Sequence, residues 1–206
     1  MVLACIIEPN NIFQATTLID SIFKSMQKKI TVLDFPSQNF YDIIKKADKK
    51  SSDILIIKTN LDTLSFLNSQ NLKLDILVFE DSSDISKYDS FSYFKNIMTL
   101  LKPNAYLIVN SDNFDFFNHF DFKKYSVITY GFNKYATVST SSIGDFITNS
   151  NFMCFIRKTI HSYNGIAFEP QEYILKTSYA DNKPYTLLLA SIFAIVNGID
   201  LNKTKI

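Results

Sequence analysis

Short continuous apolar runs recur along the first half of this chain, and most lead into a stretch with helical periodicity. The runs are Leu3 to Ile7, Ile30 to Phe35, Asp53 to Lys58, Asp75 to Glu80 and Ala105 to Val109. Each is short and lacks the alternation of a half-exposed strand, which predicts strands buried on both faces of a parallel sheet. After the first run, Leu18, Ile19, Ile22, Phe23 and Met26 form one apolar stripe at helical spacing. Tyr41 to Ala47, Leu61 to Leu67 and Phe91 to Leu101 are the next predicted helices, and Pro103-Asn104 is expected to turn the chain into the fifth strand. Strand–helix alternation with short connections implies right-handed crossovers and a parallel sheet flanked by helices.

The pattern changes in the second half. Ser126 to Tyr130, Ala136 to Ser139, Met153 to Arg157 and Tyr173 to Lys176 read as strands, the last three with no helix between them. They predict a small antiparallel section. Tyr185 to Asn197 is the last expected helix, closed by Gly198 in a left-handed conformation that satisfies the terminal carbonyls. The expected fold class is α/β: three layers, with a mostly parallel sheet between helices. The expected organisation is one domain over residues 1–206, with an α/β core at 1–131, an antiparallel subregion at 132–181 and a closing helix at 182–206.

Composition narrows the function classes. The chain has 206 residues, of which 47% are hydrophobic and 20% charged, enough for a well-cored domain. The net charge of +1 provides no global basic field, so no nucleic-acid partner is expected. Cys5 and Cys154 each lie in an apolar run and read as buried small hydrophobes, since a zinc site usually needs about four ligands. The longest apolar run, Leu187 to Val196, is about half the roughly 20 residues of a membrane span. The N-terminus carries no basic segment followed by an apolar stretch and a small-residue cleavage site. The expected compartment is the cytoplasm, without membrane insertion.

In an α/β nucleotide-binding protein, the turn between the first strand and the first helix holds phosphate. Its backbone N–H groups point at the phosphates, a lysine reaches them, and a serine or threonine holds magnesium. That loop needs Gly-x-x-x-x-Gly-Lys-Ser/Thr. Here the turn reads Glu8-Pro9-Asn10-Asn11-Ile12-Phe13-Gln14-Ala15, and the whole chain holds only four glycines.

Several stretches taken together resemble the central, ATP-binding domain of the Mur ligases, the peptidoglycan amino-acid ligases. A typical family turn and helix reads GTNGKTTTTSLIASILK; Glu8 to Lys24 reads EPNNIFQATTLIDSIFK and aligns without a gap. LKLDILVFE followed by SYFKNIMTLLKPNAYLIVNSDN, ending at Asn113, is similar to a family strand, a Tyr-containing helix and an Asn-x-Asp-Asp turn. Val127 to Phe132 is similar to the family's "viTyG" strand. LLLASIFAIVNGI, from Leu187 to Ile199, is similar to its closing helix. The resemblance implies a phosphate-loop type of α/β fold over nearly the whole chain. It leaves no room for the family's UDP-sugar and amino-acid domains.

The resemblance also implies which positions should carry the chemistry. The loop glycines fall on Glu8 and Asn11, the loop lysine on Ile12 and the magnesium threonine on Phe13. The magnesium-binding glutamate falls on Lys58, the lysine that is carbamylated in some members on Ile97, and the adenine-side pair on Asn182-Lys183. Of these positions, only the Asn110 to Asn113 turn remains recognisable. Phosphoryl transfer depends on positioning and electrostatic stabilisation by such groups, so their joint loss implies a degenerate, non-catalytic member with no cofactor. The alternative is a ligase or nucleotide-binding protein that uses ATP and magnesium through an atypical phosphate site.

Some residual cleft residues remain candidates for binding a ligand. Glu80, Asp81 and Asp84 cluster where the carboxyl edge of the sheet is expected, with Asp112 in the next such loop, and hard cations take several carboxylates. A solvated acidic loop is the simpler account. Asn10 and Asn11 could present amides to an anion at a helix start, or simply make a turn. Lys58 either meets an anion or pairs with Glu80 or Asp81. No catalytic residue and no metal ligand set is assigned. Phe114 to Phe122 is unusually aromatic for a connection and is either core or a protein contact. The expected partner is another protein or a second copy of the chain.

Overall fold

In a computed structural model, the structure describes residues 1–7, 14–37, 40, 44, 52–68, 72–80, 95–112, 122–140, 151–177 and 184–206. In chain order the elements are β1 (Val2–Ile7), α1 (Gln14–Ser25), β2 (Ile30–Asp34), β3 (Ile54–Thr59), α2 (Leu61–Asn68), β4 (Leu74–Phe79) and β5 (Leu101–Asn110). Then come β6 (Ser126–Tyr130), β7 (Val138–Thr140), β8 (Asn151–Ile156), β9 (Ile160–His161), β10 (Ala167–Phe168), β11 (Glu172–Lys176) and α3 (Pro184–Val196). Short 3-10 turns cover Phe122–Lys124 and Leu201–Lys203. The expected α/β class with a mostly parallel sheet is what the chain adopts. Among the described residues, no helix is long and apolar enough to cross a membrane.

The chain divides into two compact units, Met1–Ile12 with Lys29–Val127, and Phe13–Lys28 with Ile128–Ile206. In the first, the strand order is β5-β4-β1-β3-β2, all parallel. The apolar runs form these strands because both faces are buried: Ala4, Ile6, Ile56, Ile76, Val78 and Ile108 on one side, Cys5, Ile7, Ile57, Leu77, Phe79 and Val109 on the other. The second set joins Leu61, Leu64 and Leu67 of α2 in one core. Asn60 starts α2 by accepting the Thr63 N–H at 2.9 Å through its side chain.

The fifth strand differs from its expected outline. The predicted helix over Phe91 to Leu101 is described only as a helical turn at 95–98, and the strand begins at Leu101 rather than Ala105. Leu101 pairs with Leu74, and the register then shifts before Ile76 meets Tyr106. The predicted Pro103-Asn104 turn is this bulge. Pro103 has no ladder N–H to give, and Asn104 adopts φ 62°, a left-handed conformation that asparagine tolerates. Of the predicted helix Tyr41 to Ala47, only Ile44 lies among the described residues.

The second unit contains α1 and α3, whose Phe23 and Phe193 rings sit 6.0 Å apart. From Thr186 to Val196 every residue of α3 is buried. The helix ends as expected: Gly198 has φ 77°, its N–H bonds the Ile195 carbonyl at 2.9 Å, and the Ile199 N–H bonds the Ala194 carbonyl at 3.0 Å. The predicted antiparallel section is present over β7, β8 and β11, and it joins the parallel part of the sheet at β6. β7 pairs parallel with β6 through Tyr130 and Val138, and the antiparallel pairs are β7 with β8 and β8 with β11. The β9–β10 hairpin is not among the predicted strands; its two-residue strands are too short to leave a period.

Both cysteines are buried and unbonded to each other. Burial pushes the Cys5 thiol up, and pushes the Cys154 thiol up to about 12 despite the neighbouring Ser191 hydroxyl. Thiolate is the reactive form. Both residues are therefore expected to resist alkylation in the folded chain at about pH 8 and to react together once denaturant is added, read by mass spectrometry.

Candidate functional site

The carboxyl edge of the parallel sheet in the first unit is where α/β proteins place ligands. The register builds this edge from the ends of four strands. Ile7 of β1 lies between Thr59 of β3 and Phe79 of β4, and Phe79 is opposite Val109 of β5. The next residue of β4, Glu80, donates its N–H to the Ile7 carbonyl at 3.0 Å. Glu80 also buries one carboxylate oxygen. Beyond β5, the Asn110 side chain accepts the Asp112 N–H at 2.9 Å, closing a short turn over buried Ser111.

Lys58 is level with Ile6 and Val78, one residue before the end of β3. Side chains alternate along a strand, so Lys58 shares its sheet face with Asp34, and Glu80 follows on that face two residues past Val78. Of the two expected partners of Lys58, Asp81 lies outside the described residues, and Lys58 has a partner that was not expected. Its ammonium bonds Asp34 of β2 at 2.8 Å, with Lys58 12% and Asp34 74% exposed. The register explains the choice: Asp34 is directly opposite Lys58.

Other candidate positions separate into those the structure places and those it does not. Lys58, Glu80 and Asp112 are placed at this edge, on β3 and after β4 and β5. Asn10, Asn11, Asp81 and Asp84 lie outside the described residues, as do Ile12, Phe13, Asn182, Lys183 and most of the aromatic run from Phe114. Ile97 is 1% exposed and belongs to the apolar core beside Leu100 and Leu101. Among the described residues, no cluster of three or more His, Cys, Asp or Glu could hold a metal. Among the described residues, two positions depart from the donors that the resemblance implies for a magnesium–triphosphate site. Lys58, an ion-paired ammonium, stands where the resemblance implies a magnesium-binding carboxylate, and Ile97, in the core, where it implies a lysine that is carbamylated in some members.

Sequence reasoning missed two residues. Asp34 was read only as part of a strand; the signal available was that two apolar runs end in opposite charges, Asp34 and Lys58. Asp75 was also read only as a strand residue. It is buried at the opposite end of the sheet, where its carboxylate accepts the Leu3 N–H at 2.9 Å and meets the Lys102 ammonium at 2.7 Å.

No protein-family model and no curated protein matches the sequence. Solved structures do match. They include a UDP-N-acetylmuramoyl-L-alanyl-D-glutamate–2,6-diaminopimelate ligase at TM-score 0.65 and 13% identity, covering 98% of this chain and 45% of that one. A MurF ligase from Thermotoga maritima in complex with ADP matches at TM-score 0.60 and 10% identity, covering 98% and 47%. A bifunctional folylpolyglutamate synthase/dihydrofolate synthase matches at TM-score 0.59 and 10% identity, covering 97% and 54%. The class is thus an α/β protein with a mostly parallel sheet. More narrowly, the chain has the fold of the central domain of the Mur ligases and folylpolyglutamate synthases. It spans about half the length of the structures it matches.

Proposed function

We propose that this chain is a non-catalytic protein built on the Mur ligase central-domain fold, acting through a protein partner or through self-association. The observation that carries the reading is the Lys58–Asp34 ion pair. It holds a cation at the position where the resemblance calls for a magnesium-binding carboxylate, and Asp34 neutralises that cation across the neighbouring strand. The core position of Ile97 supports the same conclusion at a second position. The matching structures include a UDP-N-acetylmuramoyl-L-alanyl-D-glutamate–2,6-diaminopimelate ligase and a murein peptide ligase, so a cell-wall context and a cytoplasmic location are part of the proposal.

A ligand bound only by the native state must raise the melting temperature. The expected result is no shift at millimolar ATP with magnesium. A second reading is favoured by one feature, a lysine at the carboxyl edge of a parallel sheet: an atypical phosphate site with Lys58 as the phosphate ligand. It requires a nucleotide-dependent shift that Lys58→Ala abolishes. Such a shift would replace the non-catalytic reading.

A further inference from the structure

Among the described residues the strand order ends at β11, an edge strand paired on one side with β8. Its other side is guarded by the segment after α3. The Ile174 N–H donates to the Asn202 side-chain oxygen at 2.9 Å, and the Lys176 carbonyl accepts the Ile206 N–H at 2.9 Å. Leu201 and Thr204 are buried and anchor this segment. These two bonds fix which way the strand faces. Ile174 and Lys176, and by alternation Glu172, point their backbone groups away from β8. Tyr173 and Leu175 point theirs toward it, and their side chains are buried.

Read against a reversed copy of itself, Glu172-Tyr173-Ile174-Leu175-Lys176 is self-complementary. A two-fold axis at Ile174 sets Ile174 opposite Ile174, and Glu172 opposite Lys176 on both sides. All three pairs are of the type that exchanges both N–H···O bonds, because the outward-facing residues meet one another. Their side chains lie on one exposed face: Ile174 is 37% exposed, and Glu172 and Lys176 are exposed at its flanks. Opposite charges directly across such a pair are favourable, and like charges unfavourable. The guard presents the unfavourable case, since its bridge places Lys205 beside Lys176. A second copy would offer Glu172 to Lys176 instead.

We propose that β11 is a guarded pairing edge for a second copy of this chain, joined antiparallel about Ile174 and competing with the segment from Asn202 to Ile206. This names a surface for the self-association in the proposed function, and rests on that reading for its biological use alone.

The test is sedimentation equilibrium on the full chain, with circular dichroism to confirm folding. Asn202→Ala with Ile206→Pro removes the acceptor and the donor of the guard and is expected to shift the chain toward dimer. If that double variant does not fold, Asn202→Ala alone reads the same edge. Adding Glu172→Lys sets lysine against lysine twice and is expected to weaken the dimer about tenfold. Combining Glu172→Lys with Lys176→Glu restores it. A guard variant that stays monomeric, or a dimer indifferent to both charge changes, overturns the proposal. The function is tested separately: a monomer that binds no nucleotide refutes this edge alone, and a dimer that binds ATP refutes the non-catalytic reading alone.

Discussion

Asp75→Ala is expected to cost about 2–4 kcal/mol, lowering the melting temperature by about 5–10 °C. The carboxylate is 3% exposed and serves two groups at once. One oxygen closes the β1 backbone at Leu3, a residue before the β1–β4 ladder begins at Ala4 and Ile76. The other meets Lys102 in the bulge of β5. Alanine leaves the Leu3 N–H without its acceptor and frees the bulge. Lys102 is 44% exposed, so its ammonium returns to water at little cost. Asp75→Asn keeps an acceptor for Leu3 and is expected to cost about half as much. Lys102→Met leaves a buried carboxylate without that ammonium, and is expected to fall between the two. Denaturant melts of the three variants give the order; equal effects of Asp75→Asn and Asp75→Ala would show that the Leu3 bond contributes nothing.

Gly198→Val is the second large effect, about 2–4 kcal/mol. At φ 77° a residue with a Cβ is strained, and a β-branched one most of all. That Cβ would also lie 2.5 Å from the Asn164 amide atoms, and Asn164 bonds the Ser162 hydroxyl within its own turn. The glycine closes a helix buried from Thr186 to Val196, whose last carbonyls cannot turn to water instead. Gly165 is the control. Its φ is 82°, but a Cβ there meets nothing within 4 Å, so Gly165→Ala is expected to cost backbone strain alone, about 1 kcal/mol. Gly198→Ala should exceed Gly165→Ala by the Asn164 contact.

The two positions also show what could be read before the structure was known. The Gly198 cap was legible because a fully apolar helix must stop somewhere, and glycine follows Asn197 directly. The parallel strands were legible because burial on both faces leaves continuous apolar runs such as Leu3 to Ile7. Partnerships were not legible. Asp34 and Lys58 meet because β2 and β3 pair in one register, and nothing within either run states that register. Asp75 looks misplaced in an apolar strand until Leu3 and Lys102 are seen on either side of it. The guard on β11 depends on a side-chain oxygen and a backbone N–H from a segment with no period of its own.

Of the positions that the resemblance marks as replaced, Lys58 and Ile97 are the two whose surroundings are seen, and each has its own structural role. Lys58 closes the β2–β3 edge through Asp34, and Ile97 fills the core. On the proposed reading, neither position serves a nucleotide. The most direct test is isothermal titration of ATP into the full chain, with magnesium and without it. A non-catalytic protein predicts no binding heat in either case; micromolar affinity that depends on magnesium would contradict the account.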